Sequence, residues 1–376
     1  MHVLVFLTFG VSFKDWQQSG LLKRELNLYK NLKKLYNVDF TFVSFGYEDD
    51  MELAEEFKVI PYYTYNKYYK SKVKTFFQSI IFSWKLDNYT DQPLLIKTNQ
   101  LLGSWMAIIY KIKNKKPLII RTGYDLYRFS VYEGKSRIKK ISYFILTQLS
   151  ILFSDIYTVT STSDKKFIND KYFFSNSKLI VLPNWVNLAK NEEITPMNLR
   201  YDNKILAVGR LEKQKNFDKI IKIFSNTNYV IDIIGIGSER KNLEKLSSDL
   251  NLEVNLLGNL PHDELLKQYK KYRVVISTSL YEGNPKTTLE AMSYGCLVIV
   301  TNIENNSEII LNNVDGLLHN FNDLLELVNN NIHNLKALNE FQKSSINRVR
   351  MNNSLLNIAE KEFNIYKLLL KNNQPH

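Results

Sequence analysis

The chain has 376 residues, 44% hydrophobic and 23% charged, an ordinary globular composition with length for two or three domains and sizeable cores. It holds one cysteine and five histidines, and the scattered His2, His262, His319, His333 and His376 lack metal-ligand spacing. The formal net charge of +12 sits wholly in one half: residues 1–190 hold 28 Lys and Arg against 16 Asp and Glu, whereas residues 191–376 hold 22 of each. Such asymmetry points to an anionic partner surface for the first half.

The opening MHVLVFLTFG lacks a basic leader and a small-residue cleavage site, and reads as a first strand rather than a signal peptide. Apolar runs predict further strands at Val38 to Phe45, Leu94 to Lys97, Pro117 to Arg121 and Ile156 to Thr160. Leu22, Leu26, Tyr29, Leu32 and Tyr36 recur near helical spacing and predict a helix over 21–36, and 101–113 reads as another. The alternation predicts α/β architecture with a doubly wound parallel sheet. Ser19-Gly20 reads as the entry to the first helix.

Residues 61–85, PYYTYNKYYKSKVKTFFQSIIFSWK, carry five lysines, no acids and nine aromatics. Lysines reach phosphate head groups while Tyr and Trp suit an interface, so this stretch predicts docking on an anionic membrane. A buried aromatic-rich connection with solvated lysines, or a nucleic-acid-binding stretch, would read similarly; membrane is the preferred reading, with no nucleic acid partner. Arg137, Lys139 and Lys140, just before the apolar Ile141 to Phe153, offer a second contact. That apolar stretch falls well short of the roughly 20 residues needed to span a bilayer. Residues 191–198, NEEITPMN, read as an interdomain linker. The helical tail starts at about Leu355, giving expected domains of 1–190 (with 355–376) and 191–354.

The second half centres on Ser277 to Asn302, STSLYEGNPKTTLEAMSYGCLVIVTN. Arg273 to Thr278 and Leu297 to Thr301 are β-branched runs suited to buried parallel strands. Between them Asn284 fits a helix cap, Pro285 the first helical position and Gly295 the position past the end. Ligands of such a βαβ unit bind at strand carboxyl ends beside helix N-termini. Gly283 lets a ligand approach the backbone, and Lys286, Thr287 and Thr288 bring first-turn amides. Glu282 and Glu290 add carboxylates. Carboxylates facing an anion-binding helix end suit a ligand with both hydroxyls and phosphates, a nucleotide-sugar; two surface glutamates on an ordinary helix would give the same pattern. Cys296, opening the second run, reads as a packed thiol in a reducing compartment.

Glu282-Gly-Asn-Pro-Lys-Thr-Thr-Leu-Glu290-Ala-Met-Ser-Tyr-Gly295 resembles the E-x7-E signature of glycosyltransferase family 4, the retaining GT-B enzymes. The resemblance implies two Rossmann-like doubly wound domains facing across a cleft, with Glu282 beside the transferred sugar and Glu290 on the nucleotide ribose. Asn284 stands where the family often has Phe. Gly209-Arg210-Leu and Lys215 resemble the segment whose Arg and Lys clamp the donor diphosphate, where fixed cations replace a metal ion. Gly235 and Gly237 resemble a turn near the donor, and the Glu253 to Leu260 strand and loop, with Asn259 and Leu260, one beside the nucleobase. Asn302 and Glu308 match the segment after the next strand, although Glu308 equally suits a structural cap or pair. Leu182 to Asn187 resembles the end of the first domain, and the single Gly20 is set against a donor-facing glycine loop. After the Ile119 strand the family often has a His; this chain has Arg121, Gly123, Tyr124 and Asp125, with Arg121, Tyr124 and Asp125 as acceptor-side candidates and an ion-paired surface turn as the alternative.

The expected activity is retaining transfer from a UDP- or GDP-type nucleotide-diphospho-sugar, without metal or other cofactor, to a glycan or lipid-linked acceptor in bacterial surface polysaccharide or lipopolysaccharide assembly. The expected location is the cytoplasm, peripheral at the inner face of the membrane. A nucleotide-sugar epimerase, a phosphorylase or a non-catalytic sugar-nucleotide-binding membrane scaffold are the alternatives.

Overall fold

The computed structural model describes residues 1–175 and 178–372. The chain divides into two compact units, Met1–Leu182 together with Ala359–His376, and Pro183–Ile358. The sequence placed these boundaries at 190/191 and 354/355. The first falls earlier because Val186 and Ala189 are buried in a core of the second unit, where Val186 pairs with Ser354.

The first unit is built on a seven-stranded sheet: β1 (His2–Phe6), β2 (Asp39–Ser44), β3 (Lys58–Pro61), β4 (Leu95–Thr98), β5 (Leu118–Arg121), β6 (Ile156–Val159) and β7 (Leu179–Val181), in the order β3-β2-β1-β4-β5-β6-β7. Every pairing is parallel. Central strands such as Leu95–Thr98 are buried throughout, which is why they read as continuous apolar runs. The edge strands β3 and β7 escaped the sequence pattern: four and three residues are too short to show a period, and Pro61 ends β3.

The second unit has a six-stranded parallel sheet: β8 (Tyr201–Val208), β9 (Val230–Ile234), β10 (Val254–Gly258), β11 (Tyr272–Ser277), β12 (Leu297–Thr301) and β13 (Leu317–His319), in the order β10-β9-β8-β11-β12-β13. Chain order reverses at β1/β4 in one sheet and at β8/β11 in the other, the switch points where such sheets open for ligands. Cys296 is fully buried; its thiol donates to the Tyr269 carbonyl at 3.1 Å, and burial pushes it up to about 11. Beside it the buried Arg200 guanidinium donates to the carbonyls of Thr195, Tyr269, Tyr272 and Tyr294.

The tail forms the helix Leu355–Asn372; residues 373–376, including His376, lie outside the described residues. Its Glu362 makes an ion pair with Lys97 of β4. Both side chains are at most 3% exposed. The Tyr366 hydroxyl donates to the same carboxylate, and the Lys97 ammonium lies 5.2 Å from the centre of the Tyr29 ring. Burial pulls the Lys97 ammonium below its usual range, against the opposing pull of Glu362. Tyr36 stacks on Phe363 at 4.3 Å between ring centres. Among the described residues no helix is long and apolar enough to cross a membrane.

Removing one member of a buried pair strands the other charge, whereas replacing both by apolar groups does not. Glu362→Ala should therefore cost about 3–5 kcal/mol, and the double variant Lys97→Met/Glu362→Leu should recover most of it, as read by urea unfolding.

Candidate functional site

β11 leads through the loop 278–285 into the helix Lys286–Ser293, whose cap position is Pro285. The helix thus starts one residue later than Asn284 and Pro285 suggested, and the Asn284 side chain does not cap it. Its Oδ1 accepts from the Asn184 backbone N–H at 3.0 Å, while the Asn184 amide donates to the Asn284 carbonyl at 2.6 Å. Asn184 in turn accepts from Asn353 at 2.9 Å, and Lys286 lies 4.2 Å from the centre of the Trp185 ring. The segment that resembled the end of the first domain therefore braces the Glu282 loop from within the second unit. Gly283 and Pro285 are buried, and Thr287 is half-buried in the first turn. Amides of that turn face the loop by helix geometry, with the positive end of the dipole.

A second loop, 209–216, leaves the carboxyl end of β8. Leu280 N–H donates to the Gln214 carbonyl at 2.9 Å, the Gln214 amide donates to the Tyr281 carbonyl at 2.9 Å, and the Thr278 hydroxyl donates to the Lys215 carbonyl at 2.9 Å. These bonds stitch the two loops together and seat the Lys215 ammonium on the Glu282 carboxylate as an ion pair. Glu282 is 8% exposed. Gly209 matters here, because a Cβ on it would lie 3.0 Å from Lys215 Cε. Arg210 is exposed, with its guanidinium 3.3 Å from Gln214 Oε1. Gly235 has φ +152°, and a Cβ there would stand 1.8 Å from the Gly209 carbonyl oxygen. The Gly235/Gly237 pair thus has a packing reason: the turn after β9 lies directly against the loop carrying Arg210.

Glu290 lies on the buried face of the Lys286–Ser293 helix, 2% exposed. His262 Nε2 is 2.9 Å from its Oε1. His262 opens the helix His262–Tyr269, three residues beyond the exposed Asn259 and two beyond the half-buried Leu260, so it joins that loop to Glu290. Sequence reading missed His262, Gln214 and Asn184. A Pro-His pair at a helix start was the one local signal for His262; the other two needed contacts distant in sequence. Asn302 Oδ1 accepts from Ser307, while the Glu308 side chain is exposed and its carbonyl accepts from Arg348. A hollow of about 430 Å³ adjoins the 209–216 loop, lined by Glu212, Asn216, Phe217, Leu243 and Leu280, and none of the residues singled out from the sequence lines it.

The first-unit candidates are placed differently. Asp125 is fully buried and caps the helix Leu126–Tyr132: its carboxylate accepts from the Arg128 N–H at 2.6 Å and the Tyr172 hydroxyl at 3.0 Å. Burial raises its pKa despite those bonds. Both of its oxygens are engaged inside the fold. Arg121 is buried, and its charge acts on Lys97 in the cluster around Glu362. Tyr124 is exposed and stacks on Phe129 at 4.0 Å. Gly20 follows a short helix, Phe13–Gln18, that the sequence reading missed despite the Ser12/Asp15 capping box. It is the turn between two helices, while Gly10 occupies the loop directly after β1. Among the described residues no three His, Cys, Asp or Glu side chains are grouped to hold a metal ion.

Chemically, the second unit offers Arg210, Lys215 and a helix N-terminus to an anion, and Glu282 and Glu290 to hydroxyls. Residues 191–350 match the family model of glycosyl transferases group 1. The chain is 28% identical over 229 residues to a Campylobacter jejuni GalNAc-alpha-(1->4)-GalNAc-alpha-(1->3)-diNAcBac-PP-undecaprenol alpha-1,4-N-acetyl-D-galactosaminyltransferase, a match covering 59% of each chain. It is 30% identical over 207 residues to an Escherichia coli UDP-Gal:alpha-D-GlcNAc-diphosphoundecaprenol alpha-1,3-galactosyltransferase, covering 50% of this chain and 53% of that one. The match thus spans little more than half the length of these curated relatives. Among solved structures, Anabaena Alr3699/HepE in complex with UDP and glucose superposes with a TM-score of 0.76 at 15% identity, over 97% of this chain and 99% of that one. The fold is that of the GT-B proteins, with two Rossmann-like α/β domains.

The interlocked turns give a test. Gly235→Ala drives a methyl into the Gly209 carbonyl and should cost about 1–3 kcal/mol or more in urea unfolding, whereas Gly10→Ala, with open space around it, should cost only its backbone strain, about 1 kcal/mol.

Proposed function

We propose that the chain is a retaining glycosyltransferase that takes a sugar from a nucleotide-diphospho-sugar of UDP or GDP type and passes it to a glycan or lipid-linked acceptor. The observation that carries this reading is the stitched pair of loops that sets Lys215 on Glu282, with Glu290 one helix face further along. The relatives named for undecaprenol-linked substrates support a lipid-linked acceptor in surface polysaccharide assembly, and HepE, with UDP and glucose, supports a UDP-sugar as the first donor to test.

In this reading the donor diphosphate competes with Glu282 for the Lys215 ammonium, and Arg210 takes a second phosphate oxygen. The released Glu282 carboxylate accepts hydrogen bonds from sugar hydroxyls. Glu290, oriented by His262, accepts from the ribose. During transfer the bond from the anomeric carbon to the diphosphate oxygen breaks, the acceptor hydroxyl oxygen bonds to that carbon on the same face, and its proton passes to the leaving phosphate. Charge builds on the diphosphate, where Arg210, Lys215 and the first-turn amides stabilise it. The chain works peripherally, at the inner face of the cytoplasmic membrane.

Glu290→Ala should weaken donor binding by about 1.5–3 kcal/mol, roughly 10- to 150-fold, by titration calorimetry. His262→Ala should weaken it less, and adding it to Glu290→Ala should change little, since the two act as a unit. Glu282→Ala should chiefly lower turnover. Unchanged affinity in the first variant together with unchanged turnover in the last would sink the assignment. Activity should survive EDTA and be lost in the Arg210→Ala/Lys215→Ala double variant; a metal requirement restored by add-back would count against the fixed-cation role.

A further inference from the structure

Two helices of the first unit have reversed polarity. In Lys72–Lys85 the buried residues are Thr75, Ser79, Phe82 and Ser83, while Val73, Phe77, Ile81 and Trp84 are 53–64% exposed. In Arg137–Phe153 the buried residues are Thr147, Ser150 and Ile151, while Ile138, Ile141, Ile145, Leu149 and Leu152 are 42–82% exposed. Both outward sets fall at spacings of three and four, each a continuous stripe along its helix. Among the inward hydroxyls, Ser79 and Ser83 donate to the Phe76 and Ser79 carbonyls, Ser79 also accepts from the Trp105 indole N–H at 2.9 Å, and Ser150 meets Ser104 of the helix Ser104–Asn114 at 2.8 Å. The Ser104–Asn114 helix packs against both. Between it and Lys72–Lys85 runs an apolar groove of about 350 Å³, lined by Ile80, Ile81, Trp84, Lys85, Ile109 and Ile112. Phe173, exposed, is fastened to the Arg137–Phe153 helix by two hydrogen bonds with Gln148.

We propose that this three-helix layer is the face by which the chain enters an anionic lipid bilayer, the two stripes sinking below the head groups. The inference rests on the membrane-peripheral part of the functional reading. Charge selects the occupant. The three helices hold eight Lys and Arg and no Asp or Glu. Lys111 and Lys113 are engaged by Asp155 and Asp87, while Lys72, Lys74, Lys85, Arg137 and Lys139 are exposed at the stripe margins. A second copy docking through the same face would set these five exposed cations against five. An anionic head-group layer over hydrocarbon meets both the cations and the stripes. Because the stripes bind by burial of apolar surface, part of the attachment resists salt.

The test is flotation of the full chain with phosphatidylcholine vesicles, with and without about one-third phosphatidylglycerol. The wild type should float with the anionic vesicles and keep a bound fraction at about 0.5 M salt. Ile141→Asp/Ile145→Asp should lower binding about tenfold or more, and Phe77→Asp should act in the same direction. Met351→Asp, exposed on the second unit, should leave binding unchanged. Trp84 is the only exposed tryptophan of four, so brominated lipid should quench the wild type and not Trp84→Phe. No vesicle binding, binding indifferent to Ile141→Asp/Ile145→Asp, or complete release by salt without quenching would overturn the proposal; so would stripe-dependent self-association without vesicle binding. Thermal shift with a UDP-sugar reads the second unit separately. A chain that binds nucleotide-sugar and ignores vesicles loses this face and keeps the transfer reading; the opposite pattern does the reverse.

Discussion

One buried ion pair fixes how this chain must be assembled. Lys97 lies on a central strand of the first sheet, and its partner Glu362 is 265 residues further along, on the last helix. Neither charge has access to water, so neither is stable without the other. Tyr366, Tyr29 and Arg121 gather around the pair, and Tyr36 closes on Phe363 beside it. The first unit is therefore completed only by a helix that follows the second unit in sequence. The second unit is inserted between the strand that needs the carboxylate and the helix that supplies it.

Within the second unit the organising device is of another kind. Its two loops are aligned by backbone-directed bonds from Gln214, Thr278 and Leu280, which hold charged side chains without using them as structural members. Gly235 lets the neighbouring turn press on the same loop. The carboxylates and cations are thus set by a rigid frame of neutral groups, which is how a site keeps its charges in place for a ligand.

The parallel α/β architecture was legible because central strands buried on both faces write themselves as apolar runs, as in Leu297–Thr301, and because glycine marks the stop of the helix between β11 and β12. What was illegible follows from length and distance. β3 and β7 are too short to carry a period. Asn284 looked like a helix cap because its type and position fit, yet its side chain is taken by Asn184, 100 residues earlier, and no local pattern records that. Asp125 and Arg121 are acceptor-side candidates by the resemblance; both lie buried, one bonded to Tyr172 and the other beside the cluster around Glu362, and no local pattern records that. His262 reaches Glu290 across 28 residues through a turn whose path the sequence does not state.

The hydroxyl-lined inner faces of the Lys72–Lys85 and Arg137–Phe153 helices carry a thermodynamic consequence. Ser79 and Ser83 donate to carbonyls of their own helix, and Ser79 accepts from Trp105 of the neighbouring helix, so neither bonds to the sheet beneath. On these two helices the large apolar side chains that are buried are Phe82 and Ile151, whereas the Leu22–Tyr36 helix alone buries Leu26, Leu28, Tyr29 and Leu32. Local opening free energy scales with such burial. These two helices are thus held less firmly from inside than the Leu22–Tyr36 helix, and whatever covers their outer stripes adds the apolar burial that they lack.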